Sequence, residues 1–308
     1  MRMTTLVRDF LRPTLQKFFC GCFLFTPVRG VSAQPPAPTR KIIIPSVLHA
    51  VLPADTARPR TILVGDVHGC LDELDALLRE CSHDERTDRV VLVGDLVNKG
   101  PKSAECVREA RMRGYSAVRG NHDDAALFAH ERRERGRRDG TADRGADKYE
   151  YVDGFDAADL RFLRELPYTL TLEGEGVLVV HAGVVPGVPL PVQEPAHMYT
   201  MRNLVRFGGA ADAEEEPPSV APLVWEARSS PDEGIAWATA WQPDEANFPG
   251  VRHIVFGHDA KRGLQQTEHV TGLDTGCCYG KRLTALVLPE RRIVSVPAAR
   301  MYSPPRDL

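Results

Sequence analysis

The chain has 308 residues, of which 43% are hydrophobic and 26% are charged, as in ordinary soluble globular enzymes. Its formal net charge of -3 gives no general attraction to nucleic acid or to an anionic membrane, so a polyanionic ligand must be held by local groups and no DNA partner is expected. The seven cysteines are odd in number and have no repeated CxxC spacing, which argues against a disulfide framework or a structural zinc site. Reduced, partly buried thiols are expected instead.

Residues 1–41 have the composition of a targeting leader and linker. Seven basic residues stand against a single acidic one, Asp9, and prolines follow at Pro35, Pro36 and Pro38. The apolar stretch 18–25 with small residues at 31–33 suits a secretory or vacuolar route, whereas the scattered basic residues suit a mitochondrial one; a cytoplasmic location is the remaining alternative. The stretch is shorter than the ~20 residues that cross a bilayer, so no stable membrane span is expected.

After a predicted linker at 42–60, the order of the chain becomes strand, loop and helix. Strands predicted at 61–64, 89–93 and 115–118 alternate with helices at 71–79, at 104–113 and after 118, which indicates a parallel sheet with helices on both faces. Later strands are predicted at 176–180 and 253–256, and the runs 283–288 and 291–296 predict a hairpin that completes a second sheet. We therefore expect an α/β fold, a four-layer α/β/β/α sandwich, with a catalytic domain at 61–297 and a C-terminal tail at 298–308.

Short polar motifs follow five of the predicted strands. They are Gly65-Asp66-Val67-His68-Gly69, Gly94-Asp95, Gly120-Asn121-His122-Asp123, His181-Ala182-Gly183 and Gly257-His258. The carboxyl ends of parallel strands meet at one edge of a sheet, so these side chains can build one site. Carboxylate, amide and imidazole donors suit hard and borderline divalent cations. The sequence therefore predicts a site for divalent cations at the strand carboxyl ends, with Mn²⁺ as the expected ion and Fe²⁺, Zn²⁺ or Co²⁺ as alternatives.

The order D-x-H, G-D, G-N-H, H and G-H resembles the calcineurin-like metallophosphoesterases over about residues 61–297. The runs GDLVNKGP (94–101), VHAG (180–183), MYTMRN (198–203) and LDTG (273–276) are similar to those of the diadenosine-tetraphosphatase-like phosphatases. The resemblance implies two cations with ligands in two sets: Asp66, His68 and His258 on the first, Asn121 and His181 on the second, and Asp95 bridging both. It further implies that His122 is the general acid and that phosphate is contacted by Lys99, with Arg202 and Arg228 as further candidates.

Two cations ~3.5–4 Å apart can acidify a bridging water, so that the resulting hydroxide attacks phosphorus directly without a phosphoenzyme. The chain is therefore expected to be a metal-dependent phosphoesterase that acts on a small phosphorylated substrate or a polyphosphate. Opening of the triphosphate bridge of an RNA cap is an alternative, although no RNA-binding module is present. A protein serine/threonine phosphatase and a metal-binding scaffold without catalysis are further alternatives.

Asn98 and Lys99 favour phosphoanhydrides over phosphoserine. Protein phosphatases similar to this chain carry Asp-Arg at these two positions, and a neutral Asn98 cannot hold the proton of His122 by charge. Lys99 is a flexible point charge that can follow several phosphoryl groups, whereas arginine would fix one phosphate rigidly. Anhydride leaving groups need less protonation than alkoxides do. Inorganic polyphosphate and dinucleoside polyphosphates are both expected substrates, and the sequence does not separate them.

Overall fold

The structure is a computed structural model that describes residues 43–140, 148–207 and 224–305. The strands are β1 (His49–Leu52), β2 (Arg60–Val64), β3 (Asp88–Leu92), β4 (Ser116–Ala117), β5 (Thr169–Leu172), β6 (Val177–Val180), β7 (Asn203–Phe207), β8 (Val224–Arg228), β9 (Ile235–Ala236), β10 (His253–Phe256), β11 (Gln265–Gln266), β12 (Val270–Gly272), β13 (Arg282–Leu288) and β14 (Arg292–Pro297). The helices are α1 (Leu71–Glu80), α2 (Ser103–Met112), α3 (Asn121–Asp139), α4 (Ala157–Glu165), α5 (Pro195–Thr200) and α6 (Trp237–Ala240). The predicted leader, residues 1–41, lies outside the described residues.

Two large sheets form the centre of the fold. The first has the order β14-β13-β2-β3-β4, with β2, β3 and β4 parallel. The second has the order β1-β5-β6-β10-β12-β11, with β10 parallel to both β6 and β12. A small antiparallel sheet, β8-β7-β9, stands apart from both.

Apolar side chains divide these elements into four layers. Leu63, Val91, Val179 and Val255 are fully buried in one cluster that strands of both large sheets share. A second cluster joins the first sheet to α1, α2, α3 and α4, and a third joins the second sheet to α5 and α6. The predicted α/β/β/α sandwich is therefore confirmed. In α1 the buried Leu74, Leu77 and Leu78 recur at helical spacing, as the sequence pattern predicted.

The hairpin of β13 and β14 corrects one expectation. It does not complete a second sheet but extends the first, because β13 pairs antiparallel with β2. Alternate residues of β13 enter different clusters: Leu283 and Val287 lie in the cluster with the helices, whereas Leu286 and Leu288 lie in the cluster shared by the sheets. A strand that is apolar on both faces carries no pattern that tells which sheet it joins.

The predicted domain bounds also need correction at both ends. Residues 42–60, expected to be a linker, contain β1, which pairs in parallel with β5 at the edge of the second sheet. This strand has only four residues and Pro53 follows it, so its pattern is too short to predict a strand. Residues 298–303, expected to belong to a tail, are hydrogen-bonded to the domain.

The five cysteines in the described residues, Cys70, Cys81, Cys106, Cys277 and Cys278, are buried free thiols, as predicted, while Cys20 and Cys22 lie outside the described part of the chain. Among residues 43–140, 148–207 and 224–305, no helix is both long and apolar enough to cross a membrane.

Candidate active site

The predicted motifs leave the carboxyl ends of strands in both large sheets. Asp66, Asp95 and Asn121 follow β2, β3 and β4 of the first sheet, whereas His181 and His258 follow β6 and β10 of the second. Backbone contacts join the two groups, since the Gly257 N–H donates to the His181 carbonyl at 2.8 Å. The site therefore spans the edges of both sheets.

The backbone is unusual where these motifs turn. In the described residues, seven residues other than glycine have a positive φ, and five of them belong to the predicted site: His68 (47°), Asp95 (51°), Asn98 (75°), Lys99 (70°) and His258 (67°). Left-handed backbone is unfavourable for residues with a Cβ and persists where the surrounding structure enforces it. Its concentration here indicates a site whose side chains are held in fixed directions.

Two glycines let carboxylates approach the backbone closely. A Cβ on Gly120 would lie 2.1 Å from Asp95 Oδ1, and a Cβ on Gly257 would lie 2.0 Å from Asp66 Oδ1. Both distances are far below contact distance, so alanine at either position would displace a carboxylate. These glycines are therefore part of the site's geometry.

Asp95 lies between two groups of donors. Its Oδ2 is 3.4 Å from His68 Nε2, and its Oδ1 is 3.5 Å from His181 Nε2. Of the three groups in the described residues whose donor atoms lie within 4.8 Å of one another, two contain Asp95: His68–Asp95–His122 and Asp66–Asp95–His181. One carboxylate thus lies between His68 and His181, with a separate oxygen facing each, a position suited to a residue that bridges two cations.

Backbone carbonyls fix the proton on three of the histidines. Nδ1 of His68 contacts the Val97 carbonyl at 3.0 Å, Nδ1 of His181 contacts the Val93 carbonyl at 2.9 Å, and Nε2 of His258 contacts the Thr200 carbonyl at 3.1 Å. A carbonyl only accepts, so each of these nitrogens donates, and the other ring nitrogen carries a lone pair. Orientation of this kind is typical of metal-binding histidines.

The charges of the site favour cations. Burial lowers the pKa of His181 to about 4 and the pKa values of His68 and His258 well below their usual range, so these imidazoles are neutral at neutral pH. Burial raises the pKa of Asp95 to about 7, and burial followed by the neighbouring Asp274 and Asp95 raises the pKa of Asp66 well above its usual range. A divalent cation would relieve this crowding of carboxylates without displacing protons from the imidazoles.

The contact between Asn121 and His181 also favours a bound cation. Asn121 Oδ1 lies 3.2 Å from His181 Nε2. The proton of the neutral imidazole is on Nδ1, where it meets the Val93 carbonyl, so two lone pairs face each other across this distance. Such a pair of acceptors is suited to a shared cation.

The comparisons with known proteins agree with this geometry. The sequence profile described as calcineurin-like phosphoesterase matches residues 59–262. Symmetrical bis(5'-nucleosyl)-tetraphosphatases from Aromatoleum aromaticum and Dechloromonas aromatica are 31% and 32% identical to this chain, each over 77% of it and over 96% and 95% of their own lengths. A solved structure assigned provisionally as a diadenosine tetraphosphatase is 33% identical, with a TM-score of 0.65, over 82% of this chain and 98% of its own.

The chain belongs to the calcineurin-like phosphoesterase family. It is a hydrolase of phosphate bonds, which confirms the sequence-based prediction and removes the alternative of a scaffold without catalysis. Calcineurin-like phosphoesterases use divalent metals, and the donors around Asp95 fit them in type and placement.

Asn98 orients His122, the residue that the sequence predicted to be the general acid. The Asn98 Oδ1 accepts the Lys99 backbone N–H at 2.8 Å, so its Nδ2 is the group that contacts His122 Nδ1, also at 2.8 Å. Because Nδ2 donates, Nδ1 of His122 accepts and the proton of the neutral ring is on Nε2. That nitrogen lies 4.0 Å from Asp95 Oδ2, on the side of the metal donors.

Most predicted site residues line a cavity of about 590 Å³. Those that do are Asp66, His68, Asp95, Asn98, Lys99, Asn121, His122, Arg202 and His258. His181 is fully buried and does not line it.

Arg202 is held by the carbonyls of Ser229 and His258 at 3.0 and 3.2 Å. Arg228 does not line the cavity, and its guanidinium pairs with Glu226 and Glu233.

Two carboxylates of the site, Asp274 and Asp123, stand in motifs that were singled out from the sequence, but no pattern there gave a reason to assign them a role. Asp274 is 5% exposed, lines the cavity and raises the pKa of Asp66. Asp274 follows β12, which is parallel to β10. Because the carboxyl ends of parallel strands meet at one edge of a sheet, a prediction of this short strand would have placed Asp274 in the site. Asp123, fully buried, accepts the backbone N–H groups of Leu96 and Gly120 at 2.9 Å each and so ties the loops after β3 and β4 together.

Proposed function

We propose that this phosphoesterase hydrolyses the phosphoanhydride chain of dinucleoside polyphosphates, with two divalent cations of which Mn²⁺ is the first candidate and Fe²⁺, Zn²⁺ and Co²⁺ are alternatives. The observation that carries the proposal is Asp95, whose two oxygens face His68 and His181. The relatives named symmetrical bis(5'-nucleosyl)-tetraphosphatases support the substrate class, since the similarity extends over at least 95% of the lengths of those reported above.

The cations would be held by the donors that surround Asp95. Asp66, His68 and Asp95 would hold the first, and Asn121, His181 and Asp95 would hold the second. We place His258 with the second rather than the first, because its ring centroid lies 5.1 Å from that of His181. When bound, the cations would supply an acidified water and neutralise charge that grows on the phosphoryl oxygens.

His122 would donate the proton that the leaving phosphate needs, from Nε2 of the imidazolium, and the ring would be neutral after the transfer. Its Nε2–H points to the metal side of the cavity because Asn98 occupies Nδ1. In that acid form Nδ1 also carries a proton, so the Asn98 amide would turn to accept from it through Oδ1, and a neutral acceptor adds no charge to hold the proton on the ring. The resulting acid suits phosphoanhydrides, whose leaving groups need little assistance, better than it suits alkyl esters.

Lys99 and Arg202 are the cations proposed for the phosphate chain. In the structure Lys99 Nζ lies 2.8 Å from His68 Nε2. Burial lowers the pKa of Lys99, but Asp95, Cys278 and Tyr279 together raise it above its usual value. A metal ion on the same His68 lone pair would exclude this contact, and the long side chain of Lys99 can then reach phosphoryl oxygens in the cavity it lines.

Replacement of Asn98 by Asp together with Lys99 by Arg should shift the substrate preference toward phosphoserine peptides. A carboxylate beside His122 would stabilise its protonated form, and a rigid guanidinium would fix a single phosphate. We expect the ratio of kcat/KM for a phosphoserine peptide to kcat/KM for diadenosine tetraphosphate to rise roughly tenfold. An unchanged ratio, with metal content equal to that of the wild type, would show that these two residues do not set the preference.

The proposed substrate is tested by a panel assayed with Mn²⁺: diadenosine tetraphosphate, inorganic polyphosphate, capped RNA and a phosphoserine peptide. We expect the highest kcat/KM for diadenosine tetraphosphate, with nucleoside diphosphate as the product of symmetrical cleavage. Inorganic polyphosphate is the second candidate, because Lys148 and Lys261 line the same cavity as Lys99 and Arg202. The comparisons give no support to the RNA-cap alternative. A higher kcat/KM for capped RNA or for the peptide would refute the proposal.

A further inference from the structure

The segment of residues 299–304, which we call the C-terminal strap, is fastened to α1. The backbone N–H of Ala299 and the hydroxyl of Tyr302 both donate to Oε1 of Glu73, at 2.9 and 2.7 Å. Glu73 is 3% exposed, and its other oxygen has no hydrogen-bond partner in the described residues. Burial of a carboxylate costs free energy unless hydrogen bonds compensate for the lost water. Hydrogen bonds to a carboxylate are strong, so two donors on one oxygen hold the strap firmly against α1.

A second attachment joins the strap to the loop after Asp274. The backbone N–H groups of Tyr302 and Ser303 both donate to the Cys278 carbonyl at 3.0 Å, and Met301 forms an antiparallel bridge with Tyr279. The ring of Tyr279 in turn lies 5.0 Å from Lys99 Nζ. The strap therefore lies directly against residues of the active site.

The strap reaches the catalytic cavity itself. Ser303 and Pro304 line the same cavity as Asp95 and His122, and Tyr279 lines it beside them. The other side chains of that cavity are mostly carboxylates, imidazoles and cations, which suit phosphates and metal ions. A proline ring and an aromatic ring are instead suited to the uncharged, flat part of a ligand.

We propose that Tyr279, Ser303 and Pro304 form a wall that contacts a nucleoside of the substrate, and that Glu73 and Tyr302 are the residues that position this wall. The inference rests on the proposed function and deepens it, because it gives a physical reason for a dinucleoside polyphosphate to be preferred over a bare phosphate chain. The phosphates of both substrates meet the same cations. Only the dinucleoside has a group that the wall can bind.

The test compares two truncated chains with the full chain. Removal of 303–308 takes away part of the wall but leaves both hydrogen bonds to Glu73, whereas removal of 306–308 takes away only residues beyond the described part and is the control. Each is assayed with Mn²⁺ on diadenosine tetraphosphate and on inorganic tetrapolyphosphate, which has the same number of phosphates. We expect removal of 303–308 to raise KM for diadenosine tetraphosphate about tenfold with kcat nearly unchanged, and to leave kcat/KM for tetrapolyphosphate within about twofold. The control should match the full chain.

Tyr302→Phe and Glu73→Gln test the positioning role. Tyr302→Phe loses the hydroxyl that reaches Glu73 and should raise KM for diadenosine tetraphosphate by a smaller factor than the truncation does. Glu73→Gln keeps an acceptor oxygen, so it should retain more of the preference for diadenosine tetraphosphate over tetrapolyphosphate than Glu73→Leu does. Equal losses on both substrates, or none, would overturn the inference and leave the proposed function standing. A full-length chain that hydrolyses tetrapolyphosphate but not diadenosine tetraphosphate would contradict the proposed function itself.

Discussion

Replacement of Asp95 by Asn should lower turnover at least ~10³-fold. This corresponds to an activation free energy that is several kcal/mol higher, at about 1.36 kcal/mol for each factor of ten in rate. The two oxygens of Asp95 lie 3.4 and 3.5 Å from the nitrogens of His68 and His181. An amide has one oxygen for two cations and no negative charge where two dications would repel each other. We therefore expect metal analysis to show fewer than two bound ions, with kcat reduced for every substrate.

A matched control is Asp72→Asn, which removes a carboxylate that is exposed and paired with Lys102. That variant should keep wild-type turnover and metal content, since exposed ion pairs contribute little. Near-normal turnover of Asp95→Asn with two metal ions still bound would contradict the bridging role.

Replacement of His122 by Asn should lower turnover while both metal ions stay bound. Help from a general acid is typically worth ~10²–10⁴-fold, so the loss should be large for an alkyl phosphate, whose leaving group needs a proton, and small for an aryl phosphate with an acidic phenol. The measurement is kcat for a series of phosphate esters plotted against the pKa of the leaving group, which should give a steeper dependence for the variant. Parallel lines for the two proteins would exclude His122 as the proton donor.

The part of the site that follows long, patterned strands could be predicted from the sequence. β2 and β3 are continuous buried runs, and each is followed by a glycine and an aspartate, so the convergence of Asp66 and Asp95 was predictable before any contact was known. The joint order of the motifs also indicated the family, which the profile match and the relatives confirm.

The missed or misplaced features depend on short elements and on contacts between distant residues. Asp274 follows β12, a strand of three residues whose pattern is too short to predict. The strap is hydrogen-bonded to Glu73, which lies 229 positions before Tyr302 in the chain. No local sequence pattern predicts such a contact. Arg228 was a candidate for phosphate from the sequence, yet its guanidinium pairs with Glu226 and Glu233 and does not line the cavity, which only the folded geometry shows.

The proposed function requires a pair of cations that share Asp95, and this pair can be detected in the electron paramagnetic resonance spectrum of the chain loaded with Mn²⁺. Two Mn²⁺ ions bridged by one carboxylate are coupled by exchange, and their spectrum differs from that of isolated ions. We predict two Mn²⁺ per chain with a spectrum of a coupled pair, which Asp95→Asn should abolish. A single bound ion per chain, or two ions that show no coupling, would contradict a dinuclear site bridged by Asp95.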